Sequence, residues 1–183
     1  MKILITGASS GLGLELVREF HKKGFYVIAI ARRKERLENL RAELKDNIEI
    51  EDLDLSSDHN CISLFEKYKD IDILINNAGF GIVDEFLSSD LEKEMNMINL
   101  NIKAVHILTK LYLKEMERKN SGYILNVASI AGVMPSGPYM STYYATKSYV
   151  YSLSNSISKE LKQKKSNVRV RHIMPRTFFK WVW

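Results

Sequence analysis

Lys2-Ile3-Leu4-Ile5-Thr6-Gly7-Ala8-Ser9-Ser10-Gly11-Leu12-Gly13 is the stretch that decides the fold. A short apolar run passes through three glycines into an amphipathic segment that carries Leu12, Leu16, Val17 and Phe20 on one stripe. This order reads as strand, tight turn and helix, and Lys22-Lys23-Gly24 stops the helix. Glycine is required where the backbone takes positive φ and where a diphosphate must approach the main chain closely. The helix N-terminus offers such an anion free N–H groups and a partial positive charge. A glycine turn alone could be no more than a tight connection. Its place, after the first strand and at the head of a helix, points to dinucleotide binding.

Outward from this turn the same alternation continues. Residues 2–6, 26–31, 48–53, 71–75, 122–127 and 168–174 read as strands, several of them apolar throughout, as strands buried on both faces are. Between them lie helical patterns. Leu37, Leu40 and Leu44 mark one, Ile62 and Phe65 a short one, and residues 90–118 and 142–164 two long ones. Alternation of this kind predicts an α/β fold, a doubly wound Rossmann-like parallel sheet of six strands with helices on both faces. No internal repeat or low-complexity segment interrupts it.

The 183 residues are expected to form one domain, 1–183, with 27 Lys plus Arg against 22 Asp plus Glu. A hydrophobic share of 45% excludes a disordered or collagen-like chain. Cys61 is the single cysteine, which excludes an internal disulfide framework and a cysteine zinc cluster. His21, His59, His106 and His172 share no metal-ligand spacing, so no metal is expected. The opening run is too short for a signal peptide, and no apolar run approaches the ~20 residues that cross a bilayer. A cytoplasmic protein without a membrane partner is the expectation. Lys159, Lys162, Lys164, Lys165, Arg169 and Arg171 cluster near the end. A nucleic-acid patch is conceivable there, but the solvated end of a helix, where cations suit the macrodipole, is the favoured reading. No aromatic residues interleave with them as single-strand binders require, so no nucleic-acid partner is expected.

The spacing of the first turn is G-x-x-x-G-x-G, and with Thr6 it resembles the cofactor turn of the short-chain dehydrogenase/reductase family. Five further segments fall in that family's order. They are Asp54 after the third strand, Asn76-Asn77-Ala78-Gly79 after the fourth, Asn101, Ser129 closing Asn126-Val127-Ala128-Ser129, and Tyr143-Tyr144-Ala145-Thr146-Lys147. The resemblance runs from residue 2 to about 175. It implies an NAD(P)-dependent oxidoreductase acting on a carbonyl or secondary alcohol. Asn101, Ser129, Tyr143 and Lys147 would be catalytic. Gly7, Ser9, Ser10, Gly11, Leu12 and Gly13 would cradle the cofactor, joined by Asp54, Leu55, Asn77, Ala78, Gly79, Tyr143, Lys147 and Pro175. It also implies a homodimer through the two long helices. Each segment has a plainer reading: Asp54 as a turn residue, Asn76 and Asn77 as backbone partners, Ser129 as a cap, Asn101 as a polar helix residue.

Tyr143 and Lys147 lie four apart, hence on one helix face. A phenol ionises near ~10, and bringing it towards 7 needs ~4 kcal/mol of preference for the phenolate. A positive charge ~4 Å away at an effective dielectric of ~20 offers about that much, so Lys147 is expected to activate Tyr143. Hydride transfer to a carbonyl leaves charge on oxygen, which a proton from Tyr143 and a hydrogen bond from Ser129 would meet. The resemblance gives Lys147 the ribose hydroxyls as well and Asn101 a water in a proton relay.

The second strand ends Ile30-Ala31-Arg32-Arg33, with no acid to accept from an adenosine ribose hydroxyl. A guanidinium fork fits a phosphate, so NADP(H) is expected over NAD(H); the alternative is that Arg32 and Arg33 only decorate the next helix. The end of the chain departs from the family. Arg176 stands where the glycine of Pro-Gly is usual after the sixth strand, and the atypical tail 176–183 replaces the last helix and seventh strand. It resembles a frameshift or premature stop. The sixth strand is then expected to be an open edge, with weak cofactor binding, low thermal stability and reduced activity. A catalytically silent NADP-binding or dimer-forming protein is therefore the alternative function.

Overall fold

Residues 1–175 are described by the structure, a computed structural model; the atypical tail 176–183, Arg176 included, lies outside the described residues. The apolar runs form β1 (Lys2–Thr6), β2 (Tyr26–Ala31), β3 (Ile48–Asp52), β4 (Ile73–Asn76), β5 (Tyr123–Val127) and β6 (Arg169–Ile173). All pair in parallel in the order β3-β2-β1-β4-β5-β6. The expected doubly wound sheet is present, with strand ends shifted by one or two residues: the stretch placed at 71–75 pairs over Ile73–Asn76.

Side chains alternate across the sheet. Ile3 and Ile5 enter one core with Val27, Ala29 and Ile75, covered by α1 (Gly11–Lys22) and α2 (Lys34–Leu44). Leu4 turns to the opposite core with Ile28, Leu74 and Ile124. That core is closed by α3 (Asp58–Lys67), α5 (Val105–Lys119) and α6 (Ser141–Gln163). Burial of each such side chain contributes roughly 1.5–3 kcal/mol.

Two expectations change. In α3 the buried positions are Cys61 and Leu64, whereas Ile62 faces solvent and Phe65 is only partly covered. The stripe through Ile62 and Phe65 lies one residue out of phase. The long pattern over 90–118 is not one regular helix: α4 (Leu91–Ile98) passes through a π-helical turn, Asn99–Ala104, into α5. Such a turn inserts a residue into the helical ladder and is common at functional sites. It carries Asn101.

Candidate active site

The chain runs outward from β1 through β2 to β3 and crosses back to β4, so the strand order reverses between β1 and β4. Ligands of open α/β sheets bind at such a reversal, beyond the carboxyl ends of the strands. The glycine turn follows β1 there and Asn77-Ala78-Gly79 follows β4.

Thr6 joins the two segments. Its hydroxyl oxygen accepts from the N–H groups of Asn77 (3.0 Å) and Ala78 (2.9 Å). The Asn77 amide donates to the carbonyls of Thr6 (2.9 Å) and Gly7 (3.3 Å). Gly7 and Gly11 adopt φ of 70° and 59°, a region that suits glycine. At Gly13 a Cβ would lie 2.3 Å from the Gly7 carbonyl oxygen. Ser10 stands at the N-cap position of α1 but makes no side-chain cap. Its hydroxyl accepts instead from Arg33 (2.6 Å), as does that of Ser9 (3.1 Å). The first N–H groups of a helix have no partner within it, and in α1 the first three residues are Gly11, Leu12 and Gly13, a helix start of the kind that can hold an anion. The donor set suits a dinucleotide phosphate.

Arg33 sits among charges of its own sign. Loss of surrounding water, then the neighbouring guanidiniums of Arg36 and Arg32, hold its pKa below the usual value. Arg32 lies 3.8 Å from Asp54. Asp54 folds back to accept from the N–H (2.9 Å) and hydroxyl (2.8 Å) of Ser56, a local turn. Leu55 beside it is buried, and its carbonyl accepts from the Cys61 thiol.

Tyr143 and Lys147 are buried on α6. Ser129 precedes a short 3₁₀ turn, Ile130–Gly132, and its hydroxyl accepts from the Ala131 N–H at 3.2 Å, the capping role that its residue type allows. It also hydrogen-bonds Tyr143. Pro175 lies next to it, its carbonyl accepting from the Ile130 N–H at 3.4 Å. Asn101 is held on three sides. Its amide donates to the Phe80 carbonyl (2.8 Å) and the Thr146 hydroxyl (3.1 Å), and its oxygen accepts from the Phe80 N–H (3.1 Å). Thr146 in turn donates to the Tyr143 carbonyl at 2.8 Å. Gly79 completes the approach, for a Cβ there would meet Asn101 Oδ1 at 2.9 Å and Lys147 Nζ at 3.4 Å. The four residues expected to be catalytic therefore converge.

Their electrostatics differ from the expectation. Burial pushes the Tyr143 phenol up, with the Ser129 hydrogen bond acting in the opposite direction. The Lys147 ammonium lies 5.9 Å from the Tyr143 ring centre and donates to the Val127 carbonyl at 3.0 Å. Burial pulls Lys147 itself down to about 8. Here the phenol is shifted the other way from the expected drop, because desolvation outweighs the Ser129 hydrogen bond and the Lys147 ammonium is committed to the Val127 carbonyl.

Sequence reasoning missed a buried network under the site. Asn76 donates to Thr109 (3.1 Å) and Asn126 (2.9 Å), and Asn126 donates to Ser154 (3.0 Å). Asn76 and Asn126 are register partners on β4 and β5. Polar residues in two otherwise apolar strands were the available signal. The histidines make local contacts: His106 with Tyr149 at 2.7 Å, His21 with the Asp46 carbonyl at 2.9 Å, His59 with Ser63 at 3.5 Å, and His172 against the Tyr151 ring. No helix among the described residues is long and apolar enough to cross a membrane.

A family model described as "short chain dehydrogenase" matches residues 1–178. The NADP-dependent 3-hydroxy acid dehydrogenase YdfG of Escherichia coli (strain K12) is 36% identical over 182 residues, 96% of this chain and 71% of that protein. Among solved structures, a short-chain dehydrogenase from Sphingobium yanoikuyae in complex with NADPH superposes with a TM-score of 0.89 at 32% identity, covering 96% of this chain and 71% of that one. The closed form of serine dehydrogenase complexed with NADP+ gives 0.88 at 34% identity, covering 96% and 72%.

Proposed function

The chain belongs to the short-chain dehydrogenase family and is on that ground an NAD(P)-dependent oxidoreductase; we propose that it moves a hydride between NADP(H) and a carbonyl or secondary alcohol, with Tyr143 as proton donor and acceptor. The observation that carries this reading is the convergence of Tyr143, Lys147, Ser129 and Asn101 beside Gly79. When bound, the nicotinamide supplies or accepts the hydride. Ser129 donates to the oxygen on which charge develops, and Tyr143 gives it a proton. Lys147 holds the positive charge that favours the phenolate once its ammonium turns from the Val127 carbonyl. Asn101, fixed by Phe80 and Thr146, lends its amide to a proton path towards Lys147.

Gly7, Ser9, Ser10, Gly11, Leu12 and Gly13 form the phosphate cradle in this reading, with Asn77, Ala78, Gly79 and Pro175 along its rim and Asp54 and Leu55 beside the adenine. Preference for NADP(H) over NAD(H) is supported by Arg33. Its place beside Arg32 and Arg36 makes a concentration of positive charge that a 2′-phosphate would neutralise bidentately. Residues 1–183 act as one nucleotide-binding domain, paired in a cytoplasmic homodimer through α5 and α6. The test is turnover of simple ketones with NADPH by the purified chain and by Tyr143→Phe. Loss of a positioned proton donor is worth about 10²–10⁴-fold, so kcat/KM should fall by that range while NADPH affinity holds. The second reading, an NADP-binding or dimer-forming protein without turnover, is favoured by the bond of Lys147 to Val127. It predicts equal and negligible rates for both proteins with NADPH affinity and pairing intact.

A further inference from the structure

Two loops meet beside Tyr143. The segment after Gly79 runs through Phe80 and Ile82, both packed on the cluster that contains Tyr143, to Asp84. The Asp84 N–H donates to the Tyr139 carbonyl at 2.8 Å. Tyr139 holds that position at φ 64°, a left-handed conformation that costs a residue with a side chain free energy and persists where the surroundings fix it. The bridge joins the loops after β4 and β5 into one rim. Its exposed apolar side chains include Val83, Phe86, Val133, Met134 and Tyr139, each more than 45% accessible.

Among the described residues, the charge on this rim has one sign. Residues 129–146 carry no charged side chain at all, and the loop opposite supplies Asp84 and Glu85. Glu94 adds a third carboxylate, accepting from Thr142, the residue before Tyr143, at 3.1 Å. The single cation of residues 80–98, Lys93, lies 4.0 Å from Asp90. Lys147 is buried and bonded to Val127, not presented at the rim.

We infer that the site selects uncharged, apolar ketones or secondary alcohols and discriminates against substrates bearing a carboxylate. This rests on the oxidoreductase reading and runs against the hydroxy-acid substrates in the name of the Escherichia coli relative. Apolar rim surface gains by covering an apolar substrate. Asp84 and Glu85, both exposed, and Glu94, half-buried, repel an anion that comes close to the rim, an effect that is strongest at low ionic strength.

A matched pair tests it: 4-acetylbenzoate and its methyl ester, which share a ketone and differ in charge. With NADPH and the full chain, kcat/KM for the ester should exceed that for the acid at least tenfold. In the double variant Asp84→Asn/Glu85→Gln the ester-to-acid ratio should fall at least threefold. The substituted side chain at position 84 keeps an amide oxygen that can accept from the next N–H, as the Asp84 carboxylate now does from Glu85 at 2.9 Å. Binding of both compounds to the NADP+-loaded chain, measured by calorimetry, gives the same ratio without chemistry. Tighter binding of the ester with no turnover of either compound would sink the oxidoreductase reading and leave the rim assignment standing. Equal or reversed preference, a ratio unmoved by the double variant, or binding of neither compound overturns the inference.

Discussion

Lys147 is the residue in which burial and function pull hardest against each other. Its side chain sits inside the protein with the Val127 carbonyl for a partner. Burial alone lowers its pKa from 10.5 to about 8. Below pH 8 both folded and unfolded chains hold the proton, and the fold carries the full cost of the buried ammonium, about 3 kcal/mol for a shift of this size. Between 8 and 10.5 the folded chain releases the proton first while the unfolded chain still binds it, so this contribution to stability rises with pH. Lys147→Met has no such proton. Urea unfolding at pH 7.5 and pH 10 should show the wild type gaining on the variant by about 2–3 kcal/mol across that interval. The Cys61 thiol, which burial pushes up to about 12, titrates alike in both proteins and drops out of the difference. A constant difference would mean that Lys147 is already neutral, or already paired, at pH 7.5. Cofactor hydroxyls would give the ammonium new partners, so saturating NADP+ should flatten the same comparison.

At the scale of elements, the site depends on one turn being clamped to its neighbour. Gly13 packs so closely on Gly7 that an added Cβ would sit 2.3 Å from its carbonyl oxygen and 2.5 Å from the Asn77 amide nitrogen. Gly13→Ala must therefore push α1 off the segment after β4. Overpacking of this kind costs typically about 1–3 kcal/mol, and the displaced N–H groups should lower NADP+ affinity at least tenfold by fluorescence titration. Gly24→Ala is the control. No atom lies within 4 Å of its Cβ, and the cost comes only from φ of 82°, so stability should fall slightly and affinity stay as it was. This clamp was legible in the sequence as glycine spacing, because glycine is the only residue that serves there. The strands were legible for a related reason: burial on both faces leaves an unbroken apolar run. The π-helical turn at Asn99–Ala104 was not, since local spacing there still reads as a helix and nothing in it shows that Phe80 and Thr146 will hold Asn101. Nor was the Asn76–Asn126–Ser154 chain, whose members are each ordinary until β4 and β5 come into register. The ionisation of Tyr143 was misjudged because spacing gives a helix face but says nothing of how much water the face has lost.

For the molecule as a whole, the sheet is two halves that meet at β1 and β4. Arg33 and the glycine turn belong to one half, and Ser129, Tyr143 and Lys147 to the other. A cofactor laid across the junction binds only when both halves are folded, so its binding free energy adds to global stability. At a free concentration of 100 times Kd that contribution is about 2.7 kcal/mol. A domain of this size shifts by about 2–4 °C per kcal/mol, so NADP+ should raise Tm by about 5–10 °C. NAD+ at the same concentration should raise it less, because Arg33, gathered with Arg32 and Arg36, would have no 2′-phosphate to neutralise. Arg33→Ala separates charge from scaffold. The variant gives up the bonds to Ser9 and Ser10, so its own Tm should fall by a few degrees at most, while the extra shift from NADP+ over NAD+ should vanish. Should NADP+ and NAD+ stabilise the wild type equally, Arg33 would be left as a brace for the turn, and the cofactor's phosphate would have to be of no consequence to this fold.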